Sequence, residues 1–143
     1  MIYKLFLIPI IVMILTQIIK NIIIIMKGNV NWQTILSYGG LPSTHSALVT
    51  SLVITIGYYE GIYSAAFAIA IILAFITFRD ASGIRWHLGE YGKIINQLIK
   101  ELPDDKEYKY PVLGEKFGHK KIEVLAGILT GIILTFTIIY FLN

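Results

Sequence analysis

The chain contains no cysteine, which excludes disulfides and thiolate chemistry. Charge is scarce. Only 15% of residues are Asp, Glu, Lys or Arg, against 56% hydrophobic, and the mean hydropathy is +0.72. That scarcity excludes an ordinary water-soluble domain of this length. The formal net charge of +3 is small, and no nucleic-acid partner is expected. Internal repeats and low-complexity tracts are missing, apart from a bias toward isoleucine. What is present is a chain of 143 residues with several apolar runs long enough to cross hydrocarbon. It reads as a single integral membrane domain over residues 1–143.

The first run, Ile2–Met26, is too long for a signal-peptide core, and no small-residue cleavage site follows it. It is expected to be a retained transmembrane helix. Pro42–Tyr59 and Ile62–Phe78 read as two more, reversed at Glu60-Gly61, and His119–Leu142 as the last. Lys27–Leu41 and Pro103–Gly118 read as loops. From Arg79 the chain is too polar to cross, yet Ile84, Leu88, Tyr91, Ile95, Leu98 and Leu102 recur at helical spacing. That stripe predicts an amphipathic helix, lying on a surface or packed against the bundle. The expected fold is therefore all-α: an integral membrane helical bundle of about four transmembrane helices plus one amphipathic helix.

Four spans place both termini on one side and the two long loops on the other. Of the 12 Lys and Arg residues, all but Lys4 then fall on the loop side. The positive-inside rule puts that face in the cytoplasm, in what is expected to be the cell membrane.

This topology has a chemical consequence. Lys20 near the end of the first helix, His45 at the start of the second, Arg79 and Asp80 ending the third, and His119 and Glu123 opening the last all come to one membrane face. Lys20 lies inside the apolar run, before Asn21 and four isoleucines, so it reads either as a functional cation or as a snorkelling side chain. Ser43 and Thr44 suit a helix N-cap, and the free N–H groups there also suit a phosphate. His45 goes beyond capping, because an imidazole can protonate a leaving oxygen. His119 and Glu123, four apart, are expected on one helix face, as an oriented imidazole or an interfacial salt bridge. Arg79 and Arg85 read as forked phosphate donors or as interface anchors. A metal reading rests on His87, Glu90, His119, Glu123 and Asp80, for which salt bridging is the common alternative. Gly57-x3-Gly61 and Gly127-x3-Gly131 allow close helix contact, within the fold or across a homodimer.

Three blocks carry a family resemblance: "GGLPSTHSA" (Gly39–Ala47), "RDASGIRWHLG" (Arg79–Gly89) and "FGHKKIEVLAG" (Phe117–Gly127). Together they resemble the divergent branch of the type 2 phosphatidic acid phosphatases, related to acid phosphatases and vanadium-dependent haloperoxidases. The wider superfamily carries Lys-x6-Arg-Pro, Pro-Ser-Gly-His and Ser-Arg-x5-His-x3-Asp. Lys20 stands at the first lysine, with Lys27-Gly28 in place of Arg-Pro. Pro42, Ser43 and His45 fit the second motif, with Thr44 for its glycine, and His119 fits the third, with Glu123 for its aspartate. Val112-Leu113 stand where Ser-Arg would be.

The resemblance implies a membrane phosphatase for a lipid phosphate or diphosphate, working without metal or other cofactor. His119 would form a phosphohistidine, Glu123 would orient it, and His45 would be the general acid. Lys20, Ser43 and Thr44 would bind phosphate, with Arg79 or Arg85 supplying the charge of the missing arginine. Asp80, Gly40 and Gly83 would support the site. The alternative keeps the pocket without the chemistry: a non-catalytic binder or translocator of anionic phospholipid or polyprenyl phosphate.

Overall fold

A computed structural model describes residues 2–28, 40–101, 112–113 and 119–142. The described residues form five helices and no strand: α1 (Ile2–Met26), α2 (Thr44–Tyr59), α3 (Ala65–Ser82), α4 (Ile84–Lys100) and α5 (Lys121–Leu142). The expected loop interiors, within 29–39 and 102–118, lie outside the described residues apart from 112–113.

Among the described residues three stretches are long and apolar enough to cross a membrane: Tyr3–Met26, the segment from Ala65 that runs on to Lys100, and Lys121–Leu142. The expected second span is shorter. α2 has 16 residues, about 24 Å at 1.5 Å per residue against a hydrocarbon core of about 30 Å. Its position compensates. α2 is the central helix, with α1, α3 and α5 packed around it. Its buried residues are small or hydroxylated: Ser46, Ala47, Thr50, Ser51 and Thr55. Such side chains let neighbouring backbones approach closely.

The closest approach comes from α5. A Cβ on Gly127 would run into the Ser43 carbonyl, and one on Gly131 would sit 2.8 Å from the Ala47 carbonyl oxygen. Both glycines therefore serve the α2–α5 seam. Gly57 is also turned inward, against the Phe67 ring of α3. Small apolar contacts finish the core: Ile8 and Val12 of α1 meet Ala47 of α2 and Ile139 of α5. Larger apolar side chains such as Phe6, Ile69, Ile72, Phe75, Ile133 and Tyr140 point outward, as a bilayer-embedded bundle requires.

The two ends of the bundle differ. Lys4 Nζ donates to the Leu142 carbonyl (3.3 Å) and lies 5.4 Å from the Tyr59 ring centre. The start of α1 and the end of α5 are thus adjacent. At the opposite end, α2 is capped by Ser43, whose Oγ accepts from Ser46 N–H (3.4 Å). α3 is capped by Ser64 and runs past the expected stop at Phe78. Arg79 and Asp80 lie inside its last turn, because the backbone stays helical until Gly83.

α4 follows Gly83 directly. Ile84, Leu88, Tyr91, Ile95 and Leu98 of the expected stripe are all exposed, so the stripe faces away from the bundle. A surface-lying helix, joined to the end of a span, accounts for this. On its other side Asn96 is buried and clamps Leu113 twice. Its Nδ2 donates to the Leu113 carbonyl (2.8 Å) and its Oδ1 accepts the Leu113 N–H (2.8 Å).

Candidate active site

The site is organised around the start of α5. His119 was expected to open that helix, but it stands two residues before the first helical residue, Lys121. Its backbone N–H is directed elsewhere, to the Ala81 carbonyl in the last turn of α3 (3.0 Å). Its pairing with Glu123 therefore does not follow from a shared helix face. Glu123 folds back over the helix start instead. Its Oε2 accepts from Lys120 N–H (3.1 Å), the capping-box use of a glutamate three residues into a helix. The same oxygen meets His119 Nδ1 (3.0 Å) and accepts from Gly40 N–H (3.4 Å).

Gly40 matters here for its backbone. It has φ +118°, a region that L side chains rarely adopt, and a Cβ would lie 3.2 Å from Lys20 Cε. Lys20 is buried, at 3% exposure, and feels the Glu123 carboxylate electrostatically. The Ser43 N–H donates to the Glu123 carbonyl (3.0 Å). Four segments far apart in sequence thus converge on one turn: α1 through Lys20, the approach to α2 through Gly40 and Ser43, α3 through Ala81, and α5 through Glu123.

This geometry sets the imidazole. A carboxylate is acceptor-only, so it holds the proton of a neutral ring on Nδ1 and leaves the lone pair on Nε2. The His119 side chain is 6% exposed, yet it borders a cavity of about 500 Å³. Ser82, Trp86, His87, Lys120 and Lys121 form the rest of the wall. An oriented imidazole beside two lysines suits a phosphoryl group, which needs positioning and charge neutralisation.

The other expected site residues are distributed less simply. Ser43 is fully buried, and its Oγ is occupied by Ser46 N–H and Ser46 Oγ (2.9 Å), so it caps α2. Thr44 Oγ1 donates to Gln17 Oε1 (2.9 Å), and Gln17 in turn donates to Asn21 (3.1 Å). Both hydroxyls are thus turned into the protein. His45 is exposed in the first turn of α2 and does not line the cavity. Arg79 is exposed, Asp80 is half-buried, and Gly83 forms the α3–α4 junction. Arg85 lies in the first turn of α4, and its side chain is outside the described residues. Where the superfamily arginine would stand, the Leu113 backbone is held by Asn96. Among the described residues no three His, Asp or Glu side chains gather as a metal site, and Glu90 pairs with Lys93 (2.6 Å).

Of the cavity wall, sequence reasoning named His119 as a site residue and His87 only as a metal candidate, and it gave Trp86 no role. Trp86 and His87 stand within the second resemblance block, directly after the Gly83 junction. That position, at the polar start of an amphipathic helix, is the signal that could have pointed to Trp86.

The profile of the Divergent PAP2 family matches residues 2–134. The chain belongs to the Divergent PAP2 family. The match takes in all four converging segments and both walls of the cavity. The chain is also 40% identical, over 140 residues, to the "Uncharacterized membrane protein YuiD" of Bacillus subtilis (strain 168). That alignment covers 90% of this chain and 89% of the relative. No solved structure matches the chain. Family and relative together identify an integral membrane protein related to the phosphatase superfamily.

Proposed function

We propose that this protein is a membrane-embedded phosphohydrolase for a lipid phosphate or diphosphate. One observation carries the reading: a buried histidine, oriented through Nδ1 by a carboxylate, borders a cavity that also carries Lys120 and Lys121. His119 Nε2 attacks phosphorus, and Glu123 holds the ring and stabilises the imidazolium side of the reaction. Lys120 and Lys121 supply the positive charge that the superfamily draws from the arginine missing here, with Arg79 at the end of α3 as a reserve. Lys20 acts one step back, as a buried cation that feels the Glu123 carboxylate. Ser43, Thr44, Gly40 and Gly83 shape the backbone around the site. The active face is cytoplasmic by charge bias, in the cell membrane.

The place of the cavity supports a lipid substrate. The cavity opens at the α3–α4 junction, where an apolar span meets an amphipathic helix, so a substrate with its tail in the bilayer places its head group there. Purified protein is expected to release inorganic phosphate from a diacylglycerol or polyprenyl phosphate, and His119→Ala to stop that release. Full activity in His119→Ala refutes the nucleophile. Tight lipid-phosphate binding without turnover in the wild type replaces the enzyme with the binder or translocator.

A further inference from the structure

We propose that a groove between α2, α3 and α5 receives one acyl chain of the substrate, and that Thr50 selects an ester-linked glycerolipid over a prenyl phosphate; this rests on the phosphohydrolase reading above. The groove has a volume of about 500 Å³, with Thr50 of α2, Ala74 and Phe78 of α3, and Ile128 and Ile132 of α5 in its walls. Ile71, Phe75 and Phe136 also line it and are exposed on the outer surface of the bundle, so the groove opens toward hydrocarbon. One end adjoins the catalytic cavity. Phe78 lies one turn before Ser82, which lines that cavity. Thr50 follows Ser43, and Ile128 follows Lys121, by two helical turns, about 10 Å. A phosphate held at His119 therefore leaves a glycerol and its first ester group to bridge to the head of the groove.

Thr50 gives the occupant its chemistry. Among the described residues it is the one polar side chain in the groove wall, and on α2 it is the lining residue nearest the phosphate site. It is 8% exposed, and its hydroxyl has no partner among the described residues. Other threonines of the bundle turn back on their own helix. Thr77, Thr130, Thr135 and Thr137 each donate to the carbonyl four residues earlier. Ser51, Thr55 and Tyr59 share the unpaired state of Thr50 but do not line the groove. An unpaired hydroxyl in an apolar wall is unfavourable, and a bound acceptor removes that penalty. A helical threonine has two common χ1 rotamers, so the hydroxyl can turn to an occupant. The ester carbonyl at the head of an acyl chain accepts this bond. A prenyl chain offers only hydrocarbon below its phosphate and leaves Thr50 unsatisfied.

The test uses a diacylglycerol phosphate with a diazirine in one acyl chain, photolysed with purified protein in mixed micelles and competed by unlabelled lipids of equal chain length. Cross-links are expected on groove residues such as Ala74 and Ile132. The diacyl lipid should compete about 3–10-fold better than a prenyl phosphate, or than its ether-linked analogue, which lacks only the carbonyl oxygens. Thr50→Val keeps the side-chain shape and should erase that gap by weakening the diacyl lipid alone, while Thr50→Ser should keep it. Ile71→Trp adds bulk at an exposed side chain far from the phosphate site. It should lower labelling by the long chain and spare a short-chain diacyl phosphate. Cross-links spread evenly over the outward helix faces, no ester preference in the wild type, or a preference that survives in Thr50→Val would each overturn the proposal. Equal loss of long and short chains in Ile71→Trp would do the same. Groove labelling without phosphate release from any lipid overturns the phosphohydrolase alone. Phosphate release without groove labelling overturns the groove alone.

Discussion

Replacing Glu123 by alanine removes an acceptor that three donors share. Its Oε2 receives His119 Nδ1 at 3.0 Å, Lys120 N–H at 3.1 Å and Gly40 N–H at 3.4 Å. The side chain is 14% exposed, so water replaces little of this. A hydrogen bond to a charged acceptor contributes about 1.5–3 kcal/mol, and the long Gly40 contact contributes least. The three act on one oxygen and are not additive, so the loss is expected at about 3–5 kcal/mol, the range for breaking a buried charged network. Glu123→Gln keeps a neutral acceptor and should lose only about 1–2 kcal/mol. Unfolding in detergent micelles, followed by denaturant titration, measures both. Lys20 feels the same carboxylate. The double variant Lys20→Met/Glu123→Gln should therefore be more stable than the sum of its singles by about 0.5–3 kcal/mol. Phosphate release should fall in both Glu123 variants by roughly 10²–10⁴-fold, since the imidazole loses the partner that fixes its tautomer. A Glu123→Ala protein that unfolds at the wild-type midpoint, with Lys20 and Glu123 strictly additive, would refute the shared-acceptor account.

Three further expectations concern the scaffold. Gly127→Val places side-chain carbon against the Ser43 carbonyl and Ser46, where backbone cannot yield, so it should abolish monodisperse protein on size exclusion. Asn96→Ala leaves both backbone groups of Leu113 without their clamp and should cost about 1–3 kcal/mol, read as faster amide exchange at Leu113. Val112→Cys introduces a lone thiol at a side chain that is 88% exposed. It should react with an impermeant maleimide from the cytoplasmic side only; labelling from the other side would reverse the orientation drawn from charge bias.

Much of the scaffold was legible in the sequence because it depends on local pattern. Apolar runs give the spans, and the stripe from Ile84 to Leu98 gives α4, since both are set by residues within a few turns of each other. Ser43 as a cap is likewise a local signal, and the structure uses it that way. The convergence of Lys20, His119 and Glu123 on one face followed from counting spans, although α2 proved shorter than a full crossing.

The details of the site were not legible, because they depend on contacts between distant segments. Spacing suggested that His119 and Glu123 share a helix face. In the fold His119 lies outside α5 and is anchored on Ala81, while Glu123 turns back to cap the helix. Gly40 and Glu123 are 83 residues apart, and no periodicity links them. The sequence placed Ser43, Thr44 and His45 together at one helix mouth. Only packing decided that both hydroxyls turn inward while His45 turns out. The direction of α4 after Gly83 likewise brings His87 to the cavity that His119 borders, and a chain crossing of that kind has no signature in residue spacing. By itself the sequence determined that the chain is an all-helical membrane protein with polar and apolar stretches in this order, because hydropathy acts residue by residue. The tertiary structure alone decided which side chains share a cavity, because that depends on how the helices cross α2.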